Sequence, residues 1–317
     1  MIATVTLNPA VDKTVTASRV VMGAVNRLDD VTNIAGGKGI NVTKVLRQYG
    51  YEVKALGFIG GYAGELIADT VRRIGALDAF TFVKGETRTS INLLTEDGYV
   101  TELLEPGPKI LPSELRRFLN SFEAEIEHCE IVVISGSAPR GVPATVYADL
   151  IEIAKNNNKK VLLDTSGEGL KKGMYARPFM IKPNVKELEG LMGRRVHGMQ
   201  EISEAAIQIV EWGVPNVMIS MGAKGILYAR ESKRSKKGVN LYYVQAPNIK
   251  AVNTVGSGDA AVAAFAMAVS EKLKPENICR KCVAISAANA MSKVSGEIPR
   301  MEADQIYEEL GLSIPIY

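Results

Sequence analysis

Short apolar runs recur along the chain: Ile2 to Leu7, Val53 to Ile59, Ile131 to Ser135, Val161 to Asp164, Phe179 to Lys182 and Val217 to Ser220. Each is bounded by Gly, Pro, Asn or Asp, and such runs suit buried parallel strands. Between them, apolar positions follow a helical spacing over Gly39 to Tyr49, Gly64 to Ile74, Pro112 to Glu127, Pro143 to Lys155 and Glu201 to Trp212. Strand and helix in alternation predict βαβ units and a layered α/β domain. Two segments break the alternation. Residues 11 to 33 hold Thr14-Val15-Thr16 and Val20-Val21 with no helical period. Residues 88 to 104 read as strands Thr89 to Thr95 and Tyr99 to Leu104 around Glu96-Asp97-Gly98, and Asp-Gly is a hairpin signal. The simplest architecture is one α/β domain over 1–11, 34–87 and 105–317, carrying a β lid made of 12–33 and 88–104.

Composition narrows the function classes. The 317 residues carry 38 basic and 35 acidic side chains, a net charge of +3. A nucleic-acid binder needs a basic patch. The dense basic run here, Lys233-Arg234-Ser235-Lys236-Lys237 before Gly238, lies between two apolar runs and reads as a solvated hairpin turn. Cysteines are Cys129, Cys279 and Cys282, a sparse set that fits a reducing compartment. Cys279-Arg-Lys-Cys282 has no second pair and no nearby His to complete a zinc site, and its context is helical. His128 and His197 have no partner pattern and read as surface residues. The N-terminal Met-Ile-Ala-Thr-Val-Thr-Leu is a strand without a basic leader, and no apolar run has the length of a membrane span. The expectation is a cytoplasmic protein with no nucleic-acid or membrane partner.

The strongest chemical signal is Asn253-Thr254-Val255-Gly256-Ser257-Gly258-Asp259, followed by the small apolar run Ala260 to Val269. Glycines let the backbone turn tightly, and the amides that open the helix point at whatever sits there. Gly256, Ser257 and Gly258 thus form an anion hole. A carboxylate beside it would repel phosphate, so Asp259 either caps the helix or accepts a proton from a hydroxyl attacking phosphorus. A second signal is Ala35-Gly36-Gly37-Lys38-Gly39-Ile40-Asn41-Val42. It is neither a Walker A loop nor a dinucleotide fingerprint. It is a tight strand-to-helix turn, or a ligand cradle in which Lys38 and Asn41 supply donors. A third is Lys182-Pro183-Asn184-Val185-Lys186-Glu187, where Asn184 and Glu187 share a helix face. Their oxygens suit Mg²⁺, and they suit a capping box equally well. Asp12 closes the first strand and could hold substrate hydroxyls, because open α/β sheets bind ligands at strand carboxyl ends. Ser135-Gly136-Ser137 and Ser220-Met221-Gly222 end strands in the same way, and Arg88 begins the lid.

In order and spacing, Gly36-Gly37-Lys38-Gly39, Asn184-x-x-Glu187 and Gly256-Ser257-Gly258-Asp259 resemble the ribokinase-like, or PfkB, carbohydrate kinases over essentially the whole chain. The resemblance implies a three-layer α/β sandwich with a small β-sheet lid, using ATP and Mg²⁺. By motif match it implies Asp259 as catalytic base, beside the anion hole of Gly256, Ser257 and Gly258. It implies Asp12, Gly37, Lys38, Asn41, Arg88 and Ser137 around the sugar. Lys182, Asn184, Ser220, Gly222, Gly225 and Asn289 would lie along the nucleotide, and Asn184 and Glu187 would organise Mg²⁺. Thr6-Leu7-Asn8-Pro9-Ala10-Val11-Asp12 and Gly39-Ile40-Asn41-Val42 are similar to the subgroup acting on ketohexose monophosphates. Gly85-Glu86-Thr87-Arg88, Thr101 to Pro108 and Ser257 resemble tagatose-6-phosphate kinases within it. Thr254 and Ala260 depart from the Pro and Ser frequent there, so the expected activity is that of a tagatose-6-phosphate kinase or a 1-phosphofructokinase. Lids pair in this family, so a homodimer through the lid is implied as well. The competing readings are a kinase for an unphosphorylated sugar or nucleoside, and a non-catalytic sugar-phosphate sensor. A sensor would be expected to lose Asp259 or the Asn184/Glu187 pair, and the chain keeps all three.

Overall fold

The computed structural model describes residues 1–96, 99–233, 238–311 and 314–316. In chain order the first part comprises β1 (Ile2–Thr6), β2 (Ala10–Ala17), β3 (Asp30–Gly36), α1 (Lys38–Gln48), β4 (Val53–Ile59) and α2 (Gly61–Arg73). Then come β5 (Leu77–Asp78), β6 (Thr81–Phe82), β7 (Arg88–Thr95), β8 (Val100–Leu104), α3 (Pro112–Glu125), β9 (Ile131–Ser135) and α4 (Val146–Asn156). These lead to β10 (Lys160–Asp164), α5 (Gly167–Tyr175), β11 (Met180–Ile181), α6 (Val185–Met192), α7 (Gly198–Glu211) and β12 (Asn216–Ser220). The last part holds β13 (Ile226–Glu231), β14 (Val239–Val244), α8 (Ser257–Ser270), α9 (Pro275–Met291), α10 (Arg300–Glu309) and β15 (Ile314–Ile316).

One large sheet runs in the order β15-β14-β13-β12-β11-β10-β9-β1-β4-β5, with β6 joining β4. From β12 to β5 the strands are parallel, while β13, β14 and β15 turn antiparallel. Successive strand residues face opposite sides, so each strand feeds two cores. Ile131, Val133 and Leu162 pack with Ile40, Val42 and Val45 of α1 and with the apolar run of α8. Val132, Ile134 and Leu163 pack with Phe118 and Phe122 of α3, Tyr147 of α4 and Ile209 of α7. The result is the expected three-layer α/β sandwich. α8 is buried from Asp259 to Ala268, and its small residues let α1 and α9 close over it.

A second sheet of order β3-β2-β7-β8 forms the lid. Its ladder pairs Ala10 with both Gly36 and Arg88. The lid sheet therefore takes in Ala10, Val11 and Ile34 to Gly36, beyond the limits 12–33 expected from the sequence, because the ladder continues into the Gly-rich turn. β7 and β8 pair antiparallel up to Leu94 and Val100, as expected, while Asp97 and Gly98 lie outside the described residues. Arg234 to Lys237 also lie outside them, between the paired β13 and β14. Cys279 and Cys282 are buried on α9, and His128 and His197 are exposed. Among the described residues no helix is long and apolar enough to cross a membrane.

The register aligns the carboxyl ends of the strands. Val5 pairs with Ile134, Ser135 with Asp164, Leu163 with Ile181, and Asn184 bridges to Ser220. The loops that follow these ends, together with the N-termini of α1 and α8, enclose one region.

Candidate active site

α8 begins at a backbone turn that glycine alone adopts without strain. Gly256, the N-cap, has φ 82°. A Cβ there would also lie 3.0 Å from Ser295 Cβ. Side chains from α9 fix the turn. Asn289 donates from Nδ2 to the Val255 carbonyl at 2.9 Å and to Ser257 Oγ at 3.3 Å. Its Oδ1 accepts from the Gly296 amide at 2.9 Å. Ser286 Oγ donates to the Ser257 carbonyl at 2.9 Å. Asn289 is 0% exposed. Both ends of its amide are engaged by the loops around Gly256, which it holds from behind.

Asp259 follows in the first turn and is 5% exposed. Asn41 Nδ2 donates to its Oδ2 at 2.9 Å. Burial and the neighbouring Asp164 carboxylate push Asp259 up to about 7, against the Asn41 hydrogen bond and the charges of Lys38 and Lys182. Asn41 is itself 4% exposed. Its Oδ1 is buried without a partner among the described residues.

Asp164 was not singled out in the sequence, and it is central to the site. Its side chain is 1% exposed and stands between two lysines. Lys38 Nζ, at the start of α1, lies 3.5 Å from Oδ2. Lys182 Nζ, just past β11, lies 3.2 Å from Oδ1, an ion pair off hydrogen-bond alignment. A Cβ on Gly258 would come within 3.1 Å of Lys182 Nζ, so this ammonium sits against the glycine turn that opens α8. Burial pulls the Lys38 ammonium down, but Asp164, Asp259 and Glu187 together hold it above the usual lysine value. Two cations thus flank the buried Asp164 carboxylate, and the charges of both act on Asp259. The signal available in the sequence was a carboxylate ending a buried strand beside other strand ends.

Toward the lid, Asp12 on β2 leans over Gly36, where a Cβ would fall 1.9 Å from its Oδ2. Only glycine leaves room for that carboxylate. Arg88, half-buried at the start of β7, donates from Nε to the Asn8 carbonyl at 3.3 Å. Asp12 and Arg88 feel each other's charge. Gly37 is the N-cap of α1. Ser137 is exposed beyond the end of β9.

On the opposite side a cavity of about 620 Å³ is lined by Ser220, Gly222, Gly225, Ile249, Thr254, Ser257, Gly258, Val283 and Ala287. Its size suits a small ligand. Its lining includes Ser257 and Gly258 at the start of α8, apolar side chains of α9, and Gly222 and Gly225 of the turn after β12. Asn184 and Glu187 form the capping box: Glu187 Oε2 accepts from the Asn184 amide and Asn184 Oδ1 from the Glu187 amide, both at 2.9 Å. The Asn184 oxygen expected to serve a metal is therefore engaged by the helix. Among the described residues Glu187 Oε1 has no hydrogen bond, and Glu187 acts on Lys38 through its charge.

The sequence pattern of the pfkB family carbohydrate kinases matches residues 5–300. Among solved structures, a candidate phosphofructokinase from Staphylococcus aureus has a TM-score of 0.85 at 29% identity, with 100% of both chains covered. Phosphofructokinase-2 from Escherichia coli, in complex with fructose-6-phosphate, has a TM-score of 0.87 at 27% identity, covering 98% of each chain. A candidate 1-phosphofructokinase from Thermotoga maritima shares the fold, with a TM-score of 0.86 at 24% identity and 100% of both chains covered. The family match runs from β1 into α10, through every motif that builds the cleft, and the chain belongs to the pfkB family carbohydrate kinases.

Proposed function

We propose that the protein transfers the γ-phosphoryl group of ATP to a hydroxyl of a ketohexose monophosphate, giving the bisphosphate and ADP. Tagatose 6-phosphate and fructose 1-phosphate are the acceptors this reading favours. The observation that carries it is Asp259, a buried carboxylate in the first turn of α8, directly after the cavity-lining Gly258 and hydrogen-bonded to Asn41 of α1. The nucleotide occupies the cavity along Ser220, Gly222 and Gly225, with its phosphates on the amides of Gly256 to Gly258. The sugar lies under the lid against Asp12, Gly37 and Lys38. Its hydroxyl gives a proton to Asp259 as its oxygen forms the new bond to phosphorus, and the bond from phosphorus to the ADP oxygen breaks. A base held at about 7 is matched to proton transfer near neutral pH. Lys38 and Lys182 balance the charge spread over the transferred group.

Mg²⁺ belongs to this reading. Glu187 Oε1, which accepts no hydrogen bond among the described residues, fits a hard cation that keeps part of its water shell. Such an ion would neutralise the phosphates. The substrate phosphate needs cations remote from Asp259, and Arg88 at the lid base is the best placed. Pairing of two lids belongs here too, supported by Val31, Leu103 and Leu104, which are 43%, 54% and 62% exposed on the lid strands.

The test is ADP release from purified protein, ATP and a panel of ketohexose monophosphates, free sugars and nucleosides. Turnover with one of the sugar phosphates well above the free sugars supports the proposal. Turnover only with a free sugar or nucleoside, or none at all, sinks it.

A further inference from the structure

Two stretches that stand out in the sequence, Gly85 to Arg88 and Thr101 to Pro108, meet in the fold. β8 ends at Leu104, and residues 105–110 then run alongside the start of β7 on their way to α3. The Thr89 amide donates to Glu105 Oε2 at 2.8 Å, and the Glu105 amide donates to the Thr89 carbonyl at 3.3 Å. A Cβ on Gly85 would fall 2.6 Å from Pro108 Cβ, so the proline lies on the glycine three residues before Arg88. The far end of the segment is tied to the loop after β9. There the Ile110 amide donates to the Arg140 carbonyl at 2.8 Å, and Arg140 Nη2 reaches back to the Gly107 carbonyl at 3.0 Å.

Gly107 bears on the end of β1. Its φ is 82°, and a Cβ there would lie 2.3 Å from Asn8 Oδ1, so only glycine fits. Asn8, two residues past β1, is 8% exposed. Its Nδ2 faces the Pro106 carbonyl at 3.5 Å, and its Oδ1 accepts no hydrogen bond among the described residues. Segment 105–110 therefore holds the Asn8 side chain mainly by contact. What Asn8 offers in turn is its own carbonyl, which accepts from Arg88 Nε at 3.3 Å. Arg88 makes no other hydrogen bond among the described residues. A guanidinium anchored at Nε has its plane fixed and keeps both terminal amino groups, the fork that clamps a phosphate through two parallel bonds. Without the anchor the charge remains, but the fork is no longer aimed.

We propose that segment 105–110, locked by Arg140 through Gly107, positions Arg88 for the acceptor's phosphate and so sets the preference of the site for a phosphorylated sugar. This rests on the reading that Arg88 meets the substrate phosphate. Arg140 and Gly107 are positioning residues and touch neither substrate.

Arg140→Met is the deciding variant, because Arg140 is exposed and the substitution removes its bond to the Gly107 carbonyl while keeping most of the side-chain length. Gly107→Ala is the second, since its Cβ drives Asn8 aside, and Arg88→Ala is the reference. The KM values for tagatose 6-phosphate, fructose 1-phosphate and ATP are measured with kcat/KM for free tagatose, and thermal unfolding is followed alongside. Arg140→Met and Gly107→Ala each raise the sugar-phosphate KM about tenfold, close to the loss of one charge-assisted hydrogen bond. The ATP KM and the free-sugar kcat/KM do not move, so discrimination between phosphorylated and free sugar falls by the same factor. In an Arg88→Ala background Arg140→Met adds nothing, because the two residues act as one unit. If Arg88→Ala lowers this discrimination and Arg140→Met does not, the proposal fails and the Arg88 reading stands. If Arg88→Ala leaves the discrimination unchanged, the Arg88 reading fails and takes the proposal with it. If Arg140→Met lowers the use of ATP and sugar phosphate alike, or adds its full loss in the Arg88→Ala background, segment 105–110 serves the fold only and the proposal is overturned.

Discussion

The hydrogen bond from Asn41 to Asp259 is expected to set the working pH of the proposed base, and Asn41→Leu removes it with little change of shape. The bond is 2.9 Å long and its acceptor is a buried carboxylate. A hydrogen bond to a charged group is worth about 1.5–3 kcal/mol. At about 1.36 kcal/mol per unit, its loss raises the Asp259 pKa by roughly one to two units. The starting value is about 7. Half of the wild-type base is then ionised at that pH, and the variant keeps about one to ten parts in a hundred, a fall in kcat/KM of roughly 5- to 50-fold. The sign follows from the role: a base must be ionised, so activity appears as pH rises through its pKa, and a higher pKa moves the acid limb to higher pH. Stability should hold, because the lost amide also carried a buried oxygen without a partner. The assay is kcat/KM for the sugar phosphate from pH 5 to 10. Recovery toward the wild-type rate above pH 9 is expected. An unmoved acid limb, or a loss equal at every pH, would refute the claim that Asn41 acts through the charge of Asp259.

Three further predictions follow from the same geometry. Asp164→Asn removes a like charge from beside Asp259, so the acid limb should move to lower pH; a limb that stays in place would mean that Asp164 serves the lysines alone. Glu187→Gln should raise the Mg²⁺ concentration needed for half-maximal rate, whereas an unchanged metal titration would leave Glu187 as a helix cap only. Arg88→Ala should cost about 1.5–3 kcal/mol of sugar-phosphate recognition, roughly 10- to 150-fold in kcat/KM, with the ATP KM unmoved; equal losses on phosphorylated and free sugar would mean that Arg88 does not meet the substrate phosphate.

The sandwich was legible because the strand-end positions of β1, β4, β9, β10 and β12 all stand out as apolar runs closed by a turn residue. α5 escaped notice because Gly167, Gly169 and Gly173 dilute its apolar spacing. The lid ladder was longer than expected because Gly36 reads as a turn in sequence yet pairs with Ala10 in space. In the site, the Gly256 to Asp259 motif is local, so its geometry could be read directly. Asp164 is a single carboxylate with no motif; it gains meaning only when the register of β9 and β11 brings lysines from α1 and the end of β11 to either side. Asn41 and Asn289 show the same limit. An amide in a helix announces donors and acceptors, but tertiary packing decided that one binds the Asp259 carboxylate and the other the loop before α8. Asn184 and Glu187 had two readings at one spacing, and the backbone amides of α6 satisfy the capping one first.

The central claim is that Asp259 is the base for phosphoryl transfer, and Asp259→Asn tests it most directly. The substitution keeps size and can keep a hydrogen bond with Asn41, but it cannot take up a proton. Binding of ATP and of tagatose 6-phosphate is followed by calorimetry, and turnover by ADP release at saturating concentrations. The account predicts that both substrates still bind with near wild-type affinity and that kcat falls by about 10²- to 10⁴-fold, the usual contribution of a positioned base. A variant that retains most of the wild-type kcat would contradict it.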